Sequence, residues 1–273
     1  MSKSKYKGYI IINKPTDPDC LRSTLKVLTR AKETMIKPRM IHFISEIVEP
    51  EAFPEKFIQT FKEKFTSEVR ARNRQRKLEW QQNQERLKKE KPKSEENAEE
   101  KKVYFQARKI PNIEMIYSIE SSWIDIPHPD EDLAELGETV KKKYLHIHMM
   151  VIVDIGHNDY GHTELMICGN KAISRISGLQ KVHYEGFACY QDGSQNHYGF
   201  LKPRDKRSTI QAGDFINLYW HDLKLEFEDA VIRASYLCKT TQKKELPEMF
   251  KRGNSFNVSR PSRAAIENVP QAA

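Results

Sequence analysis

Apolar residues cluster along the chain in short runs rich in β-branched and aromatic side chains, and these runs predict strands. The predicted strands cover residues 6–13, 40–48, 113–120, 144–153 and 182–190. Runs of this length and composition are typical of strands in a folded core. Residues 125–143 are polar, acidic and contain proline, so we expect a loop excursion between two paired strands there.

Helical spacing of apolar residues predicts four helices in the remaining sequence. Asp17 or Asp19 is expected to cap the first helix, which runs to about residue 34. An aspartate suits this position because its carboxylate accepts hydrogen bonds from the free backbone N–H groups of the first turn. The other helices are predicted at about residues 54–92, 170–177 and 222–240.

The long helix predicted at about residues 54–92 changes character along its length. Its first half repeats an apolar residue every four positions and therefore has a stripe to bury. The repeating residues are Phe57, Phe61, Phe65 and Val69. From Arg70 onward lysine and arginine dominate, so this half either projects into solvent or contacts a polyanion. Residues 93–102 contain a single apolar residue and are predicted to be a mobile linker.

Strands that pair antiparallel and alternate with helices predict an α+β fold, with a central antiparallel sheet and helices packed on it. We expect residues 1–37 to form a strand–helix extension and residues 38–263 to form the main domain. The basic helical segment at about 54–92 and the linker at 93–102 are predicted insertions in that domain. Residues 264–273 are predicted to be a disordered tail.

The composition limits the class of protein. The chain has 273 residues, 38% of them hydrophobic, which is enough for a core in one large domain or two small ones. Its longest uncharged apolar run, residues 149–153, is far too short to cross a bilayer, so we expect no membrane partner. The four cysteines lie far apart without a C-x-x-C pair, which favours a reduced, cytoplasmic protein without a disulfide framework or zinc ribbon.

The net charge of +8 favours an anionic partner, and nucleic acid is the commonest one. The excess is concentrated in the basic half of the long helix, where we predict contacts with DNA phosphates and with one unpaired base. The residues predicted to make these contacts are Arg70, Arg72, Arg74, Arg76, Lys77 and Trp80. A solvated helix that only keeps the protein soluble fits the same composition.

Two histidines lie two positions apart in the strongest predicted strand, as His146-Ile147-His148. Because successive side chains of a strand alternate between its faces, the two imidazoles project from the same face. Neutral imidazoles bind divalent metals, so the pair predicts a metal site that takes a third ligand from a neighbouring element. Two histidines on a half-exposed strand, without any ligand, also fit this pattern.

Tyr236 lies off the apolar stripe of the last predicted helix, on the side that carries Asp229, Arg233 and Lys239. Positive charge around a tyrosine favours its phenolate and attracts phosphate, which suits a nucleophile. Lys239 follows one turn later and could contact the same phosphate or stabilise the leaving oxygen. An ordinary surface tyrosine on an amphipathic helix fits the same pattern.

The order of these motifs resembles that of the HUH endonucleases, the rolling-circle replication initiators of small plasmids, single-stranded DNA viruses and filamentous phages. The shared features are a strand with an acidic residue, the H-x-H strand, and a helix with Y-x-x-K, here Tyr236-Leu237-Cys238-Lys239. Residues 116–121 and 253–260 are most similar to the filamentous-phage (inovirus) type. The resemblance covers about residues 40–263 and does not extend to the basic helix.

This resemblance implies an HUH/RRM-like α+β domain that acts as a site- and strand-specific DNA nickase and ligase. His146, His148 and an acidic residue would hold a divalent metal, Mg²⁺ or Mn²⁺. Tyr236 would attack the scissile phosphate, with Lys239 beside it, to give a 5'-phosphotyrosine and a free 3'-hydroxyl. The implied partners are single-stranded and supercoiled origin DNA and the helicase and polymerase of a bacterial host, in whose cytoplasm the protein would act.

The sequence departs from the family pattern at two places. Thr240 stands where some phage initiators have a second tyrosine, which implies a single nucleophile. Glu120 lies 26 residues before His146, farther than is usual in the family, whereas Glu138 lies eight residues before it. We expect Glu120 to be the third ligand, because it ends an apolar strand while Glu138 lies in a polar segment.

Two more basic residues, Arg233 near the tyrosine and Arg260 in the C-terminal segment, are predicted DNA contacts. Two other functions share these sequence features. A non-catalytic DNA-binding regulator on the same fold would keep the basic helix and the charge. A transposase or relaxase would use the same chemistry in another DNA context.

Overall fold

Antiparallel strands organise the computed structural model, which describes residues 4–90, 104–156, 160–179, 199–200, 220–241, 243–251 and 254–261. Two short strands, β1 (Lys5–Tyr6) and β2 (Tyr9–Ile10), form an N-terminal hairpin. The six strands of the central sheet are β3 (Pro38–Glu46), β4 (Ile113–Pro127), β5 (Thr139–Asp154), β6 (Gly199–Phe200), β7 (Trp220–Asp222) and β8 (Phe256–Val258). The described helices are α1 (Pro18–Thr34), α2 (Phe57–Glu90), α3 (Glu131–Glu135), α4 (His162–Ser174) and α5 (Phe227–Ser235).

The strand β5 lies at the centre of the sheet. It pairs with β3 on one side and with β4 on the other, and the strand order is β6-β3-β5-β4-β8, with β7 also paired to β3. Every pairing in the described sheet is antiparallel. With helices packed on this sheet, the predicted α+β class is confirmed, and the strands predicted at residues 40–48, 113–120 and 144–153 are present.

The sheet is buried on both faces, because alternate residues of its strands contribute to two separate apolar clusters. On one face, residues such as Phe43, Ile147 and Met149 pack against α2 and α4. On the other face, residues such as Met150 and Ile152 pack against α1 and α5. The sheet is therefore the middle layer of three, and side chains on both faces of β5 are buried from His146 to Val153.

The first helix forms where the sequence predicts it. The carboxylate of Asp17 accepts hydrogen bonds from the backbone N–H groups of Asp19 and Cys20, and Pro18 occupies the first helical position. Proline suits that position because its fixed φ is helical and no N–H partner is needed there. Asp17 is thus the cap, and α1 brings its apolar side to the same sheet face as α5.

The prediction of a loop at residues 125–143 is wrong. β4 and β5 continue as one antiparallel ribbon whose register runs from Ile113↔Val153 to Pro127↔Thr139. The short helix α3 and Gly137, which has a φ of 81°, close its far end. A two-stranded ribbon that leaves the core needs backbone pairing but no apolar face, so its polar sequence resembled a loop.

Other boundaries differ for local reasons. The strand predicted at residues 6–13 is the β1–β2 hairpin, since Lys7 and Gly8 turn the chain with φ values of 48° and 85°. The short helix predicted at 170–177 is α4, which begins at His162. The last predicted helix begins at Phe227 and ends in a 3₁₀ turn at Tyr236–Cys238.

Several predictions concern residues outside the described part of the chain. They are the strand at 182–190, the linker at 93–102 and the tail at 264–273. Among the described helices, none combines the length and apolarity needed to cross a lipid bilayer.

Candidate metal centre

Glu120, His146 and His148 lie together on the sheet face that packs against α1 and α5. Glu120 on β4 is the direct cross-strand neighbour of His146 on β5, and Ser118 is the neighbour of His148. Since residues two apart share a face, this register brings the carboxylate beside both imidazoles. Glu120 Oε2 lies 3.6 Å from His146 Nε2 and 3.3 Å from His148 Nε2.

The three residues are suited to hold a metal ion. One ligand atom from each lies within 4.8 Å of the others, and all three side chains are buried. Glu120 Oε1 has no hydrogen-bond partner among the described residues, whereas Glu120 Oε2 is paired with the Lys239 ammonium and lies 3.3 Å from His148 Nε2. Buried polar atoms without partners are costly, and imidazole nitrogens with a carboxylate oxygen are ligands that divalent cations accept. These residues could therefore bind a metal ion.

The protonation states favour metal binding. Burial lowers the pKa of His148 to about 4, although Glu120 opposes this shift, so the imidazole is neutral near pH 7. Burial alone would raise the pKa of Glu120, but the His148 and His146 imidazoles and the Lys239 ammonium lower it below its ordinary value. An ionised carboxylate beside a neutral imidazole is the form in which both act as ligands.

Lys239 is buried against this cluster. Its Nζ lies 2.7 Å from Glu120 Oε2 and 3.4 Å from the centre of the Tyr236 ring. Burial lowers the pKa of Lys239, and the contact with Glu120 opposes that shift. The structure therefore pairs Lys239 with a predicted metal ligand, and a contact between Lys239 and a DNA phosphate stays a prediction.

Tyr236 lies at the edge of the same cluster. Its ring meets the His148 ring edge-on, with 5.1 Å between centroids and 74° between planes. The 3₁₀ turn at Tyr236–Cys238 anchors it, because Leu237 and Cys238 are buried in the apolar cluster below. The Asp17 N–H donates to the Cys238 carbonyl at 2.8 Å, so the N-terminal segment holds this turn in place.

The sequence did not single out His42, yet it contacts a predicted ligand. His42 lies on β3, and its Nε2 is 3.1 Å from His148 Nδ1. Burial lowers the pKa of His42 well below its ordinary value, so both rings are neutral and one nitrogen donates while the other accepts. If His148 uses Nε2 as a ligand, its Nδ1 carries the hydrogen and donates to His42. A histidine within an otherwise apolar strand is the only sequence signal for it.

Tyr144 is a second contact that the sequence did not reveal. It lies two residues before His146 on the same face, and the two rings stack at 4.5 Å with 9° between their planes. Burial, followed by the nearby Tyr236, Glu46 and Glu120, raises the pKa of Tyr144 to about 12. Its hydroxyl therefore stays protonated near neutral pH, and its ring restricts the orientation of His146.

The remaining predicted site residues lie elsewhere. Glu138 is exposed at the far end of the β4–β5 ribbon, whereas Glu120 is at the histidines. Arg233 is half-buried in α5, and Arg260 is exposed after β8.

The basic half of α2 belongs to the helix on the opposite face of the sheet. Arg70, Arg74 and Lys77 are exposed there, and Arg76 is half-buried. The other two predicted DNA contacts already have protein partners. Arg72 forms ion pairs with Glu79 and Glu164, and the half-buried Trp80 packs against Phe105 with ring centres 5.9 Å apart.

No family model, curated protein or solved structure matches this chain.

Proposed function

We propose that the protein is a metal-dependent, HUH-type DNA nickase and ligase that initiates rolling-circle replication. One observation carries the proposal: residues from β4, β5 and the end of α5 converge on one buried cluster. They supply a Glu–His–His ligand set, a tyrosine and a lysine, separated by up to 119 positions in the sequence. A metal site with an adjacent tyrosine is the minimum that phosphotyrosyl transfer requires.

The proposed reaction has a simple balance of bonds. The Tyr236 hydroxyl gives up its proton to solvent, and its oxygen forms a bond to the scissile phosphorus. The bond from phosphorus to the 3'-oxygen breaks, and that oxygen takes up a proton. The products are a 5'-phosphotyrosyl protein and a free 3'-hydroxyl, which a polymerase extends, and a later 3'-hydroxyl reverses the reaction to close a circle.

The chain's own residues would prepare this step. Glu120, His146 and His148 would hold a divalent cation, Mg²⁺ or Mn²⁺, which when bound polarises the scissile phosphate. His42 and Tyr144 would orient the two imidazoles. Lys239 would supply positive charge at the tyrosine, where charge develops during transfer.

The DNA partners follow from the same chemistry. A phosphate inside a duplex does not reach a buried cluster, so the substrate would be single-stranded or made so by negative supercoiling. The net charge of +8 supports a polyanionic partner. The protein would act together with a host helicase and polymerase, in the cytoplasm of a bacterial cell.

The test is a transfer of label to the protein from a pool of single-stranded oligonucleotides with a randomised core, incubated with Mn²⁺. A 5'-phosphotyrosyl link retains the downstream part of the strand, so oligonucleotides labelled at the 3' end should label the protein. The same oligonucleotides labelled at the 5' end should not. Tyr236→Phe should abolish the adduct. An equal adduct in that variant would assign the chemistry to another residue.

A non-catalytic DNA-binding regulator is the second candidate function. The burial of Glu120, with 0% of its surface exposed, and its ion pair with Lys239 favour it, because a buried polar network also serves a structural role. This protein would bind DNA with a strong dependence on salt and would form no adduct with either labelled pool.

A further inference from the structure

Trp123 is an exposed aromatic residue on β4, three positions beyond Glu120. Its exposed fraction is 56%, which is high for a residue with so large an apolar surface. The indole N–H donates to Glu245 Oε2 at 3.2 Å, and the Lys143 ammonium lies 3.5 Å from the same oxygen. These contacts fix one edge of the indole and leave much of the ring in contact with solvent.

Trp123 lines a cavity of about 440 Å³ that we call the base pocket. Its lining residues are Ser121, Ser122, Trp123, Thr241, Lys244 and Glu245. The volume falls within the range of about 300–1,000 Å³ that is typical of small-ligand sites.

Both walls of the base pocket follow residues of the candidate metal centre in the sequence. One wall belongs to β4 directly after Glu120, and the other to the segment directly after Lys239. Because side chains alternate along β4, Ser122 shares the sheet face of Glu120, whereas Ser121 and Trp123 project from the face toward α2, so the base pocket lies at the edge of the sheet. A strand of DNA that leaves the candidate metal centre therefore has to pass around this edge to reach the Trp123 ring.

The charges around the pocket suit a phosphate backbone. Lys141 and Lys143 project from the same face of the β4–β5 ribbon as Trp123, Lys142 projects from the other face, and Lys244 lies in the wall. Glu245 is the acidic lining residue, and Lys143 lies against its carboxylate. Exposed lysines next to an accessible aromatic ring are the combination that proteins use to bind single-stranded nucleic acid.

We propose that the base pocket binds an unpaired nucleobase of the DNA strand, stacked on Trp123, where the strand passes from the candidate metal centre around the edge of the sheet. This inference rests on the proposed function and identifies where the substrate strand continues. Stacking accepts any base, so the base pocket would position the strand without selecting its sequence. A free nucleotide carries the same base and phosphate groups, so the experiment must distinguish binding of a free nucleotide from binding of a DNA strand.

The experiment is an abasic scan of a short, fluorescently labelled oligonucleotide, one nucleotide at a time. Binding is measured by anisotropy with protein that carries Tyr236→Phe, so that covalent capture does not interfere. Removal of the base at one or two positions should weaken binding roughly ten-fold, the scale of one base–aromatic stack. Adding Trp123→Ala should weaken binding of the intact oligonucleotide by a similar factor. In that variant, removal of the base at those positions should no longer change the affinity.

Matched variants keep the test specific. Trp123→Phe should retain most of the affinity because it keeps a ring. Tyr104→Ala should bind this short strand normally, because Tyr104 is an exposed aromatic residue that does not line the base pocket. Thermal unfolding of Trp123→Ala should match that of the parent protein, since the removed ring is exposed.

Three results would contradict the binding of a nucleobase in the base pocket. They are unchanged affinity in Trp123→Ala, unchanged sensitivity to the abasic positions in that variant, and no binding of single strands by the parent protein. Tight binding of a mononucleotide at Trp123 that the oligonucleotide does not displace would also contradict a strand site.

Failure of the proposed function gives a different pattern. If Trp123→Ala loses single-strand binding but the wild-type protein forms no adduct, the base pocket stands and the nuclease proposal falls. If the wild-type protein forms the adduct while Trp123→Ala binds and reacts normally, only the base pocket falls.

Discussion

The two faces of the central sheet are built from alternate residues of the same strands, yet they are buried in different ways. Toward α2, the side chains of β5 join a continuous apolar cluster that includes three phenylalanines of that helix. Toward α1, the side chains of β5 are apolar at Ile152 and Met150, but they are imidazoles at His148 and His146. One strand therefore supplies an apolar face and a face that changes from apolar to ionisable.

This difference indicates which face serves stability alone and which face could also bind a metal ion. Every ring that is buried on the α2 face stabilises the folded state. The histidine face keeps Glu120 Oε1 buried without a hydrogen-bond partner among the described residues, while Glu120 Oε2 is paired with Lys239. A buried oxygen without a partner lowers stability unless a ligand compensates. Such an arrangement is typical of a binding site held on rigid elements.

The largest expected effect is a difference in the free energy of unfolding between variants of the two faces. Phe61→Ala should lower the free energy of unfolding by about 3–5 kcal/mol, because it leaves a cavity in the α2 face. His146→Ala combined with His148→Ala should keep the metal-free protein folded but abolish any rise in melting temperature on adding Mn²⁺. Thermal unfolding with and without metal measures both. If the histidine variant lost as much metal-free stability as Phe61→Ala, the histidines would be structural core residues.

The second prediction concerns pH and sharpens the same comparison. Burial holds His148 neutral, with its pKa lowered to about 4, whereas an unfolded histidine has a pKa of about 6.5. As the pH falls through this window, the unfolded chain binds a proton that the native chain does not, so stability falls. His42 acts in the same direction. We expect a loss on the order of 2 kcal/mol between about pH 6.5 and about pH 4.

Urea unfolding of metal-free protein across this pH range measures that loss. His148→Gln removes the titrating group and should make the profile flatter, while Phe61→Ala should lower stability without changing its shape. A profile for His148→Gln as steep as that of the wild type would show that other groups cause the loss.

The third prediction concerns His42 as a positioning residue. His42→Ala should weaken Mn²⁺ binding by roughly 10–100-fold, because His148 loses the hydrogen bond that fixes its orientation. His42→Gln should restore part of the affinity, since its amide oxygen accepts from His148 Nδ1–H. Calorimetric titration of metal gives both values. Equal affinity in wild type and His42→Ala would remove His42 from the site.

The smallest expected effect concerns the basic half of α2. Replacing Arg70, Arg72, Arg74 and Arg76 with Gln should weaken duplex binding and flatten its salt dependence by about one unit for each DNA phosphate that the variant no longer neutralises. Cleavage of a short single strand should change little, because α2 lies on the other face of the sheet. Wild-type affinity and salt slope in this variant would show that the helix does not bind DNA.

Much of the site could be predicted where the relevant information is local. The alternation of side chains in β5 places His146 and His148 on one face, and the Asp17 cap fixes the start of α1. The ribbon at residues 125–143 could not be predicted, because its pairing has no apolar pattern and depends on the register of two strands. Glu120 could be preferred over Glu138 from its strand, but only that register brings it beside His146.

The sequence by itself determined the strands at residues 40–48, 113–120 and 144–153, the shared face of the two histidines and the positive charge, since each depends on neighbouring residues or on composition. Tertiary structure alone decided that Lys239 pairs with Glu120, that His42 contacts His148, and that Trp123 lines a cavity together with Glu245. These contacts join residues more than 100 positions apart in the chain, or depend on the path of a segment around a sheet edge. Local periodicity records which face a side chain occupies, but only strand order and register determine which distant side chain it meets.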